Sequence, residues 1–285
     1  MKKFKFLEEK IFRVLMFFST VFIVTALALI IFSILHKGLP MLSWEMVSQT
    51  PKGGFYFGKE GGILNAIVGS FYLSVSATLL ALFVSLPLAL FMNIYLRRYQ
   101  TITNGIRFFL DLLWGVPSIV YGAFGFTIMI YFGLRASLLA GIITVTLFII
   151  PIMVRAMDEV FKTVSIGLYE ASLSLGSTRS ETAYRVFLKQ CYPGVITAIL
   201  LAFGRGIGDA ASVLFTTGFT DHIPTSLTQP TATLPLAIFF QLGAPIPEVQ
   251  DRAYAAAAVL TFFILAISIL ARMTSRKFQK HKINF

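Results

Sequence analysis

Apolar residues run along this chain in six largely uninterrupted stretches of about 20 residues or more, the length a helix needs to cross roughly 30 Å of hydrocarbon. The pattern predicts membrane-crossing helices near 13–35, 65–94, 108–132, 137–157, 195–217 and 253–273. The first follows Met1-Lys-Lys-Phe-Lys, but its apolar run exceeds a secretory signal core and no Ala-x-Ala-like site directly follows, so it reads as a retained span. Polar residues between the spans form connections of unequal length. The connection near 158–194 carries a mixed amphipathic pattern, and that near 218–252 holds Pro224, Pro230, Pro235, Pro245 and Pro247. The connection 36–62 is rich in glycine around Pro51-Lys-Gly-Gly and Glu60-Gly-Gly, which predicts an irregular loop. No fixed-period repeat or low-complexity tract is evident.

Composition sharpens this reading. Only 13% of the 285 residues are charged and 56% are hydrophobic, with 29 Phe, whereas soluble domains carry roughly 25% charge. A soluble globular protein is excluded. The 24 Lys and Arg against 13 Asp and Glu give a net charge of +11, and their placement decides its meaning. Eighteen of the basic residues flank alternate ends of the spans, in the N-terminal segment, after spans two and four, and in the C-terminal tail. Five lie in the opposite loops, and one, Arg205, lies inside a span. Excess positive charge marks the cytoplasmic side, so both termini are expected in the cytoplasm of a multi-pass membrane protein. Charge spread in this way is a topology signal and argues against nucleic-acid binding. The single cysteine, Cys191, excludes an intrachain disulfide framework and a CxxC site.

Several chemistries lack their residues. No Gly-x-x-x-x-Gly-Lys-Ser/Thr loop is present to cradle nucleotide phosphates. His36, His222 and His281 are scattered, without a His-Glu-x-x-His pair or an acidic cluster for a divalent ion. Ser70, Ser74, Ser76 and Ser85 crowd span two with no base nearby in sequence, and small residues there serve close helix packing. The expectation is a protein that is not an enzyme, with no catalytic residue, metal or cofactor.

The internal charges carry the most information. Arg205 lies eleven residues into the fifth span, close to the bilayer midplane, where an arginine costs about 2.5–3.5 kcal/mol or more unless it faces protein or water. Asp209 follows at i+4, on the same face of a continuing helix, and could pair with it. Such a pair could only join helices. The alternative is that the permanently charged, planar guanidinium meets an oxyanion on a transport path. Gly204, Gly206 and Gly208 surround the pair and predict close packing with another span. In span three, Gly115-Val-Pro-Ser places Pro117 where it removes a backbone hydrogen bond, so a kink or break is expected, with or without a role in transport.

In the long cytoplasmic connection, Glu170-Ala171-Ser-Leu-Ser-Leu-Gly176 is followed after nine residues by Val186-Phe-Leu188. This resembles the coupling signature of ABC-importer permeases, Glu-Ala-Ala, three residues, Gly, nine residues, Ile, one residue, Leu-Pro. Ser172 stands in place of the second alanine and Lys189 in place of the proline, with Pro193 expected to begin the next span. An amphipathic helix closed by a glycine turn makes a compact knob that another protein can grip. Within that superfamily the chain is similar to phosphate-importer permeases of the PstA kind. The residues that carry this are Gly61-Gly-Ile-Leu-Asn-Ala-Ile-Val-Gly, Gly115-Val-Pro-Ser-Ile-Val, Gly204-Arg-Gly-Ile-Gly-Asp-Ala-Ala, Gln229-Pro-Thr-Ala-Thr-Leu and Ala253-Tyr-Ala-Ala-Ala. In the family the fifth-span stretch usually reads Gly-Arg-Ala-Ile-Gly-Glu-Thr-Ala-Pro, so Asp209 is a shorter carboxylate and Ser212 replaces a proline.

The resemblance implies an all-α fold of six transmembrane helices, the MetI-like fold of type I ABC importer permeases. It divides the chain into 1–60 (N-terminal segment, first helix and external loop), a permease core 61–275 with a coupling helix near 165–180, and a basic tail 276–285. It implies a path for inorganic phosphate shared with a homologous PstC-like permease, two cytoplasmic PstB-like ATPases and an extracytoplasmic phosphate-binding protein. Arg205 and Asp209 would line the path, and Glu170, Ala171 and Gly176 would couple it to the ATPases. Two other readings remain open: a permease for sulfate, molybdate or phosphonate, and an ion-coupled anion carrier using Arg205 and Asp209 as a proton relay.

Overall fold

The computed structural model describes residues 2–52 and 60–279; the middle of the glycine-rich loop (53–59) and the end of the basic tail (280–285) lie outside the described residues. Five described helices are long and apolar enough to cross a membrane, and a bent pair makes a sixth crossing if counted as one. The architecture is the all-α, polytopic one expected from the apolar pattern.

Helix α1, Lys2–Gly38, has none of its most apolar window buried. Its main partner is α11, Pro247–Gln279, where Gly38 meets the Tyr254 carbonyl so closely that a Cβ would overlap it. The Lys37 ammonium lies 4.6 Å from the centre of the Tyr254 ring. A 3₁₀ turn, Leu39–Met41, leads to α2, Trp44–Ser48, which the Ser43 side chain caps by accepting from the Met46 N–H at 3.1 Å. A two-residue antiparallel ladder, β1 Pro51–Lys52 with β2 Glu60–Gly61, ties the loop to the start of the core.

The centre is the pair α3, Leu64–Ile94, and α6, Leu138–Phe161, which make the most extensive helix contact in the chain. The buried face of α3 is built of small residues, among them Ala66, Gly69, Ser70, Ala77, Ala81 and Ala89. Such a face lets helices approach where lipid offers no hydrophobic drive to associate. α6 is buried over most of its length. Its first turn is also satisfied, because the Ser137, Leu138 and Leu139 N–H groups donate to the carbonyls of Thr216, Gln229 and Leu227 at 2.8–2.9 Å.

The third apolar stretch is not one helix. α4, Gln100–Gly115, and α5, Ser118–Tyr131, meet at 93°. Pro117 has no N–H to continue the ladder and pushes the residue before it out of the helical region, and Val116 is extended with φ −69° and ψ 128°. The fifth stretch also differs from the expected 195–217. After the separate α7, Ile166–Ser174, it runs from α8, Arg179–Glu181, through a π turn, Thr182–Phe187, into α9, Leu188–Gly208. Pro193 therefore lies inside α9, not at the start of the span. α9 stops at Gly208 because the Asp209 carboxylate accepts from the Ser212 N–H at 2.8 Å, a local turn that competes with helix. From there an irregular chain, buried at both ends and exposed at 225–230, leads to α10, Leu234–Leu242.

Gly69 packs against the carbonyl of Ala232, and a Cβ there would overlap that oxygen. Gly69→Ala is expected to cost about 1–3 kcal/mol by overpacking. The expected result is a lower midpoint of thermal unfolding in detergent, while Gly105→Ala, inside α4 where a Cβ meets nothing within 4 Å, does not lower it.

Candidate functional site

Arg205 stands in the last turn of α9, exposed on the isolated chain, with its guanidinium carbon 5.5 Å from the centre of the Phe148 ring on α6. Phe148 is ten residues from Leu138 and thirteen from Phe161, so at about 1.5 Å per residue it lies roughly 15 Å from one end of α6 and 20 Å from the other. Arg205 is therefore near mid-depth by its contact across the helix pair, independently of where α9 begins.

The expected pairing of Arg205 with Asp209 does not form. The i+4 rule holds only along a continuing helix, and Asp209 is the C-cap with φ −87° and ψ 121°. Its carboxylate is committed to the Ser212 N–H, and among the described residues Arg205 makes no ion pair. Arg205 stands in the last turn of its own helix, where unmatched carbonyls carry partial negative charge and favour a cation. Among the described residues Arg205 is thus a cation without a carboxylate partner, at a depth where lipid alone could not surround it.

Of the three glycines, Gly206 is the one with a close approach, its built Cβ lying 3.3 Å from a Val145 methyl of α6. Gly208 has ordinary contact with Ile264, at 3.5 Å, and Gly204 faces open space. Pro117 caps α5, directing it toward the irregular chain after α9, where a Cβ on Gly122 would lie 2.8 Å from the Ala211 carbonyl and 2.9 Å from that of Ser212. That segment is buried at Ser212, Val213, Thr216 and Thr217. Irregular backbone at membrane depth is tolerated only where protein encloses it or it borders water.

At the far end of the α8–α9 run lies the knob. The Ser165 hydroxyl caps α7 by accepting from the Leu168 N–H at 3.3 Å. Gly176 closes it at φ +84°, with its N–H donating to Leu173 O and the Ser177 N–H to Ser172 O. This is a Schellman turn, and its left-handed position is the reason for the glycine. Glu170, Ala171, Leu175 and Gly176 are all exposed, Leu175 at 87%. The inner side is tied down by the Tyr169 ring edge-on to Phe187 at 6.1 Å and by a 3.0 Å hydrogen bond between the Ser172 and Thr182 hydroxyls. The Tyr95 hydroxyl at 2.9 Å from Ser180 Oγ joins it to the end of α3.

Sequence reasoning missed the cluster around Asp158. Its carboxylate is fully buried and accepts from Arg107 Nε and Nη2 at 2.9 and 3.0 Å, Arg155 Nη1 at 2.9 Å and Asn93 Nδ2 at 2.8 Å. Lys162 Nζ lies 3.2 Å away, and Arg155 also reaches Asp111 at 2.6 Å. The signal was legible as an aspartate with cations at i−3 and i+4 at the end of an apolar run. Arg107, Arg155 and Lys162 read only as topology charges when counted loop by loop.

A model of the family described as "Binding-protein-dependent transport system inner membrane component" matches residues 85–280. The phosphate transport system permease protein PstA of Pasteurella multocida is 31% identical over 270 residues, covering 94% of both chains. The protein of the same name from Yersinia pestis is 34% identical over 256 residues, 88% of this chain and 84% of that one. Among solved structures, an inward-facing MetNI methionine ABC transporter superposes with a TM-score of 0.62 at 15% identity, covering 75% of this chain and 95% of that one, a likeness of fold.

Removing the carboxylate that three cations share leaves buried charge uncompensated, at a cost of about 3–5 kcal/mol. Asp158→Ala is therefore expected to lower the amount of folded protein recovered from membranes severalfold, read by size-exclusion chromatography of a fluorescent fusion. Glu159→Ala, at an exposed site, is expected to leave it near normal.

Proposed function

The chain belongs to the binding-protein-dependent transport system inner membrane components, and from that premise we propose that it is the permease subunit of an ATP-driven importer of inorganic phosphate. The observation that carries the proposal is Arg205, a permanent cation at mid-depth without a carboxylate partner among the described residues. The relatives named as phosphate transport permeases, 31–34% identical over most of the chain, support the choice of cargo. A tetrahedral oxyanion matches the guanidinium fork, which donates two parallel hydrogen bonds. Arg205 and the ends of α9 and α5 form one wall of the path, and a homologous permease subunit forms the other.

Energy enters through the knob. Two cytoplasmic ATPases grip the segment carrying Glu170, Ala171 and Gly176, and an extracytoplasmic binding protein delivers phosphate to the opposite side. The knob is packed onto the π turn, which runs without a break into α9, so a push on α7 moves the helix that bears Arg205. Alternating access follows as the two permease subunits rock against one another around the anion. The side bearing the knob and both termini is the cytoplasmic one, in keeping with the eighteen flanking cations.

Uptake into proteoliposomes holding this chain with its neighbouring permease, ATPase and binding protein tests the proposal. Arg205→Ala is expected to lower ATP-dependent phosphate uptake by a factor of ten or more, the worth of a charge-assisted contact of about 1.5–3 kcal/mol, at unchanged abundance. Normal uptake by that variant would sink the role given to Arg205, and sulfate or molybdate uptake in place of phosphate would change the cargo. Gly176→Val forces a branched side chain into the left-handed region at a cost of about 1–2 kcal/mol or more. It is expected to uncouple ATP hydrolysis from uptake while assembly persists.

A further inference from the structure

A cavity of about 220 Å³ opens at the knob end of the bundle, between the last turn of α3, the 3₁₀ turn Leu96–Arg98, the first turns of α4 and the end of α6. Three of its lining side chains are cations, Arg97, Arg107 and Lys162, and none is an anion. Asp158 is fully buried and does not line it. Within the Asp158 cluster the charges cancel, Arg107, Arg155 and Lys162 against Asp111, Asp158 and Glu159. Arg97 lies outside that balance. Among the described residues it has no carboxylate partner, and its guanidinium lies over the Tyr169 ring at 5.1 Å.

Hydrogen-bond donors remain on this lining after its internal bonds are made. Arg107 commits Nε and Nη2 to Asp158 and leaves Nη1 with a 3.5 Å contact to Asn104. Lys162 points two contacts at Asp158 and Glu159 and keeps a third proton. Gln100 donates one amide proton to the Arg97 carbonyl at 2.7 Å and keeps the other. The Thr103 hydroxyl is spent on the Leu96 and Tyr99 carbonyls. Gln100 is also the first residue of α4, a 16-residue helix whose N-cap, Tyr99, makes no side-chain hydrogen bond, so the positive end of that helix borders the same space. The volume holds about seven waters at about 30 Å³ each and falls below the roughly 300 Å³ at which ordinary ligand pockets begin. A nucleotide does not fit, whereas a phosphate group with a few waters does.

We propose that this cavity binds a phosphate group on Arg97, Arg107, Lys162 and Gln100, either as inorganic phosphate or as the headgroup of an anionic phospholipid. It is distinct from the path at Arg205, since α9 does not line it. Placing it on the cytoplasmic side rests on the function proposed above; the binding itself does not. Because Arg97 stacks on Tyr169 of α7, an anion held there shares its principal cation with the coupling knob.

The full chain, assembled with its partner permease and ATPases and carrying Arg205→Ala to silence the path, would be placed in phosphatidylcholine nanodiscs for equilibrium binding of radiolabelled inorganic phosphate without ATP. A parallel preparation with added phosphatidylglycerol would be read by native mass spectrometry for retained anionic lipid. Arg97→Gln and Gln100→Glu, at partly or fully exposed sites, are expected to weaken whichever ligand binds about tenfold. Arg98→Gln, next in sequence but not lining the cavity, is expected to change nothing. Variant-sensitive phosphate binding identifies the free anion, and variant-sensitive lipid retention alone identifies the headgroup. Equal effects of Arg97→Gln and Arg98→Gln, or no effect of either cavity variant in both preparations, would overturn the site. Failure of energised phosphate uptake by the assembly that keeps Arg205 would instead count against the importer reading and leave these measurements intact.

Discussion

The buried carboxylate of Asp158 sets the position of the helices on which the rest of the structure depends. A charge taken wholly out of water is tolerable only with close, well-aligned partners, and here they come from three helices: Asn93 of α3, Arg107 of α4, and Arg155 of α6 itself with Lys162 at its C-cap. Bidentate geometry from Arg107 leaves α4 little freedom of rotation or height against the central pair. With α4 held there, the break at Val116–Pro117 sends α5 off at 93° toward the chain that follows α9. The helix end at Gly208 and the exposed Arg205 beside Phe148, midway along α6, thus belong to one arrangement with a polar cluster near the C-terminal end of that helix.

Lipid imposes the second constraint. Backbone groups cannot be left unpaired in hydrocarbon, and the irregular chain that follows α9 is buried at Ser212, Val213, Thr216, Thr217 and 231–233, with 225–230 exposed between them. Its carbonyls at Thr216, Leu227 and Gln229 accept the first N–H groups of α6, and the Ser70 hydroxyl accepts from the Leu234 N–H at 2.7 Å. Small residues at Gly69, Gly122 and Gly141 make the room. The outcome is a stable break in a membrane helix, with a cation placed where the break leaves carbonyls unmatched.

The knob follows a different logic. Its outer face, with Glu170 and Leu175, has no partner among the described residues of this chain, while its inner face is anchored by Tyr169, Ser172 and Thr182. The π turn between α8 and α9 inserts an extra residue into a continuous rod, a feature that recurs at functional positions in helices. An element exposed on one side and rigidly attached on the other is suited to passing on a force, which is the coupling role proposed for it.

Much of this was legible in the sequence. The apolar pattern located five crossings and a sixth apolar stretch that the structure bends by 93°, because hydrocarbon thickness dictates a helix length that composition cannot disguise. Pro117 marked a break through the chemistry of one residue, and Glu170 to Gly176 marked the knob through spacing and a glycine that the left-handed turn requires. Arg205 was conspicuous because a cation in an apolar run has few explanations. The tertiary structure decided what periodicity assumes but cannot test. The i+4 rule paired Arg205 with Asp209 on a helix that ends between them, since a side-chain hydrogen bond to Ser212 outcompetes the next turn. The grouping of Asn93, Arg107 and Asp158 depends on contacts across 51 and 65 residues. Local pattern reports which face a residue occupies within its own helix, whereas the partner on that face is chosen by packing between helices distant in sequence.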